Sequence, residues 1–440
     1  MYSFGMEQYD NKTQVIVVGG GPAGIACAIT IARAGKEVVL IERGKFAGSK
    51  NVFGGAIYAQ PTREIFPDFE KTAPLERKTV EHKFALLGEN DGTVISYRKK
   101  EEDNPSYSVI RGKFDNWMAE EAKKAGVIVV EETVVKKLIL ENGYVKGVQT
   151  EVEDYYADIV VLADGVNSLL ARQIGLRGTI KPEDVALSVK EVIKLPEDII
   201  NERFHVSNDN GCIYEIFGGP MLGMLGLGFL YTNKNSVSIG LGITLSDLIK
   251  RSIRPYDLLD KLKKHPEIEP LLKGGELIEY SAHLIPEGGY KKIPNIISNG
   301  VMICGDAAMF VNNMHWEGTN LAMISGKLAG ETAVIALGKQ DFSEEALNHY
   351  QEGLENSFIM KDLRTYKNLM SGISEREKEF LGYYPQKINA FFDMFTTTDS
   401  IPKREKYWRF IKSFFTDRKI SDLFKDFWSV IKLVWSILVK

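Results

Sequence analysis

The chain has 440 residues, is 44% hydrophobic and 26% charged, and carries 40 glycines and 15 prolines, the profile of an ordinary globular protein with room for about three domains. Its 55 basic and 59 acidic residues leave a net charge of -4, so no global positive field gathers nucleic-acid phosphates and no nucleic-acid partner is expected. Cys27, Cys212 and Cys304 lie far apart and form no C-x-x-C pair, which excludes a disulfide framework or a four-cysteine metal or iron-sulfur site; no metal site is expected.

Residues 1–12 lack the basic start and apolar core of a signal peptide, and nowhere do about 18 uncharged apolar residues run together, so neither secretion nor a simple membrane span is expected. The first clear element is a β-branched run from Gln14 that breaks at glycines and continues as an Ala/Ile-rich helix to Gly35. A second strand, Glu37 to Glu42, follows. This βαβ unit carries Gly19-x-Gly21-x-x-Gly24 at its first turn and Glu42 at the end of its second strand. Glycines there let backbone N–H groups approach a pyrophosphate, and the positive end of the helix favours its charge. Glu42 can then accept hydrogen bonds from ribose hydroxyls. A glycine pattern alone is no more than a tight turn; flanked by both strands and Glu42 it reads as a dinucleotide site, with Gly19, Gly21, Pro22, Ala23, Gly24, Glu42 and Arg43 as binding candidates.

Further along, a helix is predicted over 114–125 and strands over 127–131, 143–149 and 157–164. Between about 185 and 285 short runs such as Gly226 to Tyr231 and Ser236 to Gly242, separated by a turn at 232–235, predict an antiparallel sheet. An α/β pattern returns at Gly300 to Asp306, followed by a helix over 318–337, and the chain is helical beyond about 345. Two of these strands end in an acid and a glycine, Asp164-Gly165 and Gly305-Asp306. Either aspartate alone is a common turn residue; paired at the sheet edge they can meet sugar or ribityl hydroxyls, which favours FAD over NAD.

These three segments resemble the FAD signature of glutathione-reductase-like and aromatic-hydroxylase-like flavoproteins. Five others, Gly48 to Tyr58, Tyr107 to Trp117, Gly228 to Lys234, Glu279 to Gly289 and Glu317 to Gly326, resemble the electron-transfer-flavoprotein:quinone oxidoreductase family in its FixC-type form. The resemblance runs over about residues 12 to 340. It implies an α/β fold in which a discontinuous Rossmann-like FAD domain (1–80, 105–180 and 290–340) is interwoven with an antiparallel quinone or substrate domain (81–104 and 181–289). A helical C-terminal region (341–440) follows.

The resemblance further implies that Lys50 belongs to the cofactor site, that Gly54 and Gly55 let backbone pass close to the isoalloxazine, and that Arg111 holds FAD phosphate or adjoining polar groups. The bland alternatives are a turn and a solvent-facing ion pair. Gly318, Thr319 and Asn320 begin a helix whose free N–H groups suit the N1/C2=O edge of a reduced, anionic flavin, with Thr319 the best hydrogen-bonding candidate; an ordinary helix cap is the compatible plain reading. Gly226, Leu227 and Tyr231 become quinone candidates, Leu227 standing where relatives can have a second glycine. His283 reads as a satisfied core residue rather than a proton carrier.

The implied activity is electron transfer from an electron-transfer flavoprotein (α/β subunits) through FAD to a membrane quinone. No cysteine follows Cys304, so the iron-sulfur cluster that longer family members carry in a fused ferredoxin-like domain is expected in a separate subunit. Residues 403–440 hold ten Lys/Arg and four Asp/Glu, and the last helix has a narrow polar stripe beside a face carrying Phe424, Phe427, Trp428, Val434 and Trp435. That face suits a lipid surface, a partner subunit or the protein's own core; a cytoplasmic protein peripheral on the inner face of the cell membrane is expected. Two rivals remain: a geranylgeranyl-reductase-like or aromatic-hydroxylase-like flavoenzyme on the same frame, and a relay subunit of a bifurcating flavoprotein complex. The hydroxylase or reductase rival lacks a second strand-G-x-G-x-x-G-helix unit for a nicotinamide.

Overall fold

A computed structural model describes residues 12–50, 55–100, 104–207, 209–221, 223–367, 376 and 379–438. The signal-peptide reading of residues 1–11 lies outside that range. The chain divides into two compact units, each gathered from three stretches: up to Leu75 with Val109–Lys181 and Gly288–Arg364, and Glu76–Ser108 with Pro182–Glu287 and the chain from Thr365 onward.

In the first unit the run after Lys12 shows no polar alternation, and Val15, Ile16 and Val17 are fully buried, as a parallel strand covered on both faces requires. Lys12–Val18 pairs in parallel with Val38–Ile41, Val15 opposite Val38, and with Asp154–Leu162, Val15 opposite Ile159. Val301–Ile303 extends the sheet beyond Asp154–Leu162, and Ile128–Val130 extends it beyond Val38–Ile41. This is doubly wound α/β order, and it brings the loops after Val18, Ile41, Leu162 and Ile303 to one edge, where such sheets bind ligands.

The helices Pro22–Arg33 and Thr319–Lys339 meet through small residues. A Cβ at Gly326 would lie 2.0 Å from the Ala23 carbonyl oxygen, and one at Gly330 would lie 2.7 Å from that of Cys27. Among the described residues Thr319–Lys339 alone is long and apolar enough to cross a membrane, but its Leu321–Gly326 stretch is buried inside this unit. The sequence grouped everything after 340 as one helical region, whereas the structure divides it. Glu344–Asn356 buries Leu347, Tyr350 and Leu354 in the first unit, where the Tyr350 hydroxyl donates to the Ile303 carbonyl at 3.0 Å.

The second unit is a sheet ordered Glu276–Pro286, Val185–Lys194, Ser236–Thr244, Gly226–Thr232, Asn210–Gly218, Leu75–Leu87, with Gly92–Arg98 on the last strand's edge. Its pairs are antiparallel except one: Asn210–Gly218 runs parallel to Leu75–Leu87. The purely antiparallel expectation missed this because the two strands are more than 120 residues apart and neither names its partner. One face, with Val189, Leu230, Ile239 and Leu241, packs on the helices Glu197–Phe204 and Pro255–Lys263 through Ile200, Phe204, Leu258 and Leu262.

The same unit ends in the helices Tyr384–Thr396, Lys403–Asp417 and Ile420–Leu438. The last of these buries one acid and exposes its aromatic residues. Asp426 is 1% exposed, whereas Phe424, Phe427, Trp428 and Trp435 are each more than half exposed. Arg418, Arg376 and the Tyr384 hydroxyl converge on the Asp426 carboxylate, the hydroxyl at 2.8 Å. A buried carboxylate held by two guanidinium groups anchors the helix through Asp426 and leaves its aromatic face outward. The intramolecular-core reading of that face therefore does not hold for its described aromatic residues.

Because Gly326 touches backbone rather than a movable side chain, Gly326→Val is expected to cost about 3 kcal/mol. A lowered urea midpoint checks this; an unchanged midpoint would contradict the close helix contact.

Candidate functional site

At the first turn, each glycine has a separate physical reason. Gly19 adopts φ +109°, and a Cβ there would sit 2.3 Å from the Ala163 carbonyl oxygen; at Gly24 it would sit 1.9 Å from that of Gly19. Gly21 instead faces open space, with nothing within 4 Å of where its Cβ would be. Two glycines thus close the turn, and the third leaves a concavity over the start of Pro22–Arg33, which no side chain caps. Pro22 takes the first helical position, where its missing N–H costs nothing.

Glu42 is oriented by backbone. Its Oε2 accepts from the Gly20 N–H at 2.7 Å and its Oε1 from the Gly44 N–H at 2.6 Å. Each oxygen keeps a further lone pair for hydroxyl donors. Arg43 and Lys50, named with it from the sequence, are exposed.

The two aspartates end neighbouring strands. Burial pushes Asp164 up to about 6, partly offset by Ser168, backbone N–H groups and Arg177. Burial likewise pushes Asp306 up to about 6, against the pull of the Arg111 and Arg177 guanidinium groups. Both are ionised acceptors above neutrality, and Asp164 Oδ1 is buried with no protein partner. Gly165 holds φ +76° and Gly305 φ +63°, turning the chain sharply beside each acid.

Arg177 was missed by sequence reasoning. It is buried, and its Nη1 donates to the Val166 carbonyl at 2.7 Å and the Ala307 carbonyl at 3.1 Å. One guanidinium thus ties the loop after Asp164 to the loop after Asp306. Nothing in the unpatterned stretch around it signals that role.

Arg111 opens the helix Arg111–Lys124, buried rather than facing solvent, in a bidentate pair with Asp115 at 2.8 and 2.9 Å. Gly48, at φ +89°, lies over this turn, where a Cβ would come 2.6 Å from the Asp115 Cβ. The Gly55 carbonyl accepts from the Val109 N–H at 2.8 Å. Gly54 lies outside the described residues.

Gly318 is the uncapped N-cap of Thr319–Lys339, and Thr319 is its first helical residue. Asn320, 6% exposed, donates through Nδ2 to Glu317 Oε2 at 3.2 Å and leaves its Oδ1 without a protein partner. Glu317 was not singled out from the sequence. The loop before the helix is closed by the Asn312–Glu317 bridge.

The quinone candidates share a strand of the second unit but not a face. Leu227 and Tyr231 lie on the side away from the core, where Phe229 stacks on Tyr231 at 4.9 Å and 19°. Gly240 makes room for that ring, since a Cβ there would come 2.3 Å from Phe229 Cζ. Gly226 falls on the opposite side, where a Cβ would meet the Gly242 carbonyl oxygen at 2.4 Å. His283 is half-buried opposite Ser188. Among the described residues no group of three or more His, Cys, Asp or Glu side chains is arranged to hold a metal, and all three cysteines are free and buried.

The concavity at Gly21, the pre-set Glu42 and the unpaired Asp164 oxygen fit a dinucleotide carrying diphosphate and polyol hydroxyls. Together with the doubly wound sheet they define an FAD-dependent oxidoreductase, and residues 14–172 match the family model described as FAD dependent oxidoreductase. Residues 186–285 match "ETF-QO, ubiquinone-binding" and residues 370–435 match the ETF-QO/FixC family C-terminal domain. The chain is 41% identical to protein FixC of Azorhizobium caulinodans over 424 residues, 95% of this chain and 98% of that one. It is 38% identical over 400 residues, 90% of this chain and 93% of that one, to the probable electron transfer flavoprotein-quinone oxidoreductase YdiS of Escherichia coli K12. The chain belongs to the FixC and electron-transfer-flavoprotein:quinone oxidoreductase family. A geranylgeranyl bacteriochlorophyll reductase-like protein from Thermoplasma acidophilum shares the fold, with a TM-score of 0.70 at 22% identity over 84% of this chain and 91% of that one.

A hydrogen bond to a charged acceptor contributes about 1.5–3 kcal/mol, so Glu42→Ala is expected to weaken FAD binding roughly 10- to 100-fold. Titrating FAD into the stripped protein and following flavin fluorescence measures it; equal affinity would remove Glu42 from the site.

Proposed function

We propose that this protein takes electrons from an electron-transfer flavoprotein and passes them through FAD to a membrane quinone, with a separate ferredoxin-like iron-sulfur subunit in the route. The observation that carries this reading is the quinone-binding family match over 186–285 within a chain aligned almost end to end with FixC. FAD supplies the chemistry when bound, accepting electrons one at a time and releasing them in pairs. The chain's own residues bind and orient.

In this reading Gly19, Gly21, Pro22, Ala23 and Gly24 present backbone N–H groups to the diphosphate, Glu42 and Arg43 meet the adenosine end, and Asp164, Gly165, Gly305 and Asp306 meet the polyol. Arg111 acts through its charge on Asp306 and through polar groups adjoining the cofactor. Lys50 and Gly55 line the approach to the ring, and Gly318, Thr319 and Asn320 donate towards its N1 edge, where negative charge develops. Leu227 and Tyr231 offer an apolar and aromatic wall to a quinone, while Gly226 shapes their strand.

The location is the inner face of the cytoplasmic membrane, reached from the cytoplasm. The outward aromatic face of Ile420–Leu438, with Lys425 and Lys432 exposed beside it, supports lipid contact. Trp428→Ser combined with Trp435→Ser is expected to reduce co-flotation with vesicles containing anionic lipid at least several-fold. Equal flotation of the double variant and the wild type would assign the face to a partner subunit.

The anaerobic visible spectrum tests the electron route. Bleaching of the bound flavin by reduced electron-transfer flavoprotein, reversed by a quinone analogue, is the expected result. Bleaching by NADH or NADPH alone would favour a hydroxylase or reductase instead.

A further inference from the structure

The loop entering Thr319–Lys339 carries a carboxylate that cofactor binding leaves unexplained. Asn312 is buried and builds the loop: its backbone exchanges hydrogen bonds with Glu317 at 2.8 and 3.2 Å, and its side-chain oxygen accepts from the Met314 N–H at 3.2 Å. Trp316 holds φ +55°, a conformation bulky residues rarely adopt, so the chain is forced into one path just before Glu317. Glu317 is thereby fixed one residue ahead of the N-cap Gly318, with Oε2 accepting from Asn320 Nδ2 at 3.2 Å.

A carboxylate beside the positive end of a long helix should be a stronger acid than usual. Glu317 is the reverse: burial pushes its carboxyl up, despite the Asn320 bond and the nearby His315. The other titratable group facing it is Asp362, from the helix Phe358–Thr365, whose charge raises it further and which is itself pushed up by burial. The orphaned Asn320 Oδ1 marks the same helix end as a place that receives a ligand.

We propose that Glu317 is a redox-linked proton acceptor: when the flavin bound at this helix end is reduced, the Glu317 carboxylate takes up a proton from solvent. The inference rests on the FAD reading above. Two electrons and one proton convert the oxidised flavin into its anionic reduced form, adding one negative charge to the site. A second proton, bound at a Glu317 oxygen, cancels that charge. Reduction favours protonation of Glu317, and by linkage protonation of Glu317 favours reduction.

The test is a reductive titration of the holoprotein between pH 6 and 9, comparing wild type with Glu317→Gln, which keeps an acceptor for Asn320. For a two-electron couple, one proton gives a slope of about 30 mV per pH unit and two give about 59. The wild type is expected to show the steeper slope over part of the range, and the variant about 30 throughout. Removing the negative charge should raise the variant's midpoint above the wild type at alkaline pH, with the two converging towards acid pH. Parallel lines for the two proteins would overturn the proposal. Proton uptake by the wild type alone, read with an indicator dye in weak buffer, gives a second measurement: uptake that stays at one proton per two electrons across the range overturns it equally. Wild-type protein that binds no flavin at all would sink the FAD reading itself, a different result from flavin bound with an unchanged slope.

Discussion

The structure depends on backbone meeting backbone where the first strand turns into the first helix. Gly19 lies under the Ala163 carbonyl, Gly24 against Gly19, and Gly326 against Ala23, all closer than any side chain allows. These contacts pull the ends of Lys12–Val18 and Asp154–Leu162 and the helix Thr319–Lys339 onto one point. The loops after Leu162 and Ile303, which bear Asp164 and Asp306, are tied together by Arg177 at the same sheet edge. The site is a consequence of packing before it is a consequence of chemistry.

Its electrostatics follow the same pattern. Glu42 is fixed by two backbone N–H groups, and the two aspartates are made weaker acids by burial while guanidinium groups limit the shift. Glu42 is held in place by the protein before any ligand arrives, so less ordering entropy is lost on binding there.

What the sequence made legible was whatever chemistry is local along the chain. The glycine turn, its strands and Glu42 lie within 30 residues and explain one another. Asp164 and Asp306 were readable only as a pair at matching strand ends. Arg177 was invisible because its partners, Val166 and Ala307, lie in two loops that the sheet alone brings together, and the parallel pairing of Leu75–Leu87 with Asn210–Gly218 was invisible because distant segments meet there too. The amphipathic pattern of the last helix was plain, but a pattern cannot say which residue anchors it; Asp426 does so through its guanidinium partners, while the aromatic face stays exposed. The identity of the family was legible from five ordered segments and agrees with relatives aligned over most of the chain.

The interleaving of the two units carries a consequence for how the molecule is made. The parallel sheet needs Val301–Ile303 beside Asp154–Leu162, and the second sheet needs Asn210–Gly218 beside Leu75–Leu87, so each waits for a strand synthesised long after its neighbour. Neither unit can finish on the ribosome while the other is still unstarted. Apolar strands such as Val38–Ile41 emerge well before the helix Thr319–Lys339 that packs against Pro22–Arg33 exists. Such a chain passes through synthesis with its interior open, the condition in which exposed apolar strands are prone to aggregate. It also offers no internal cut that would yield a self-sufficient half.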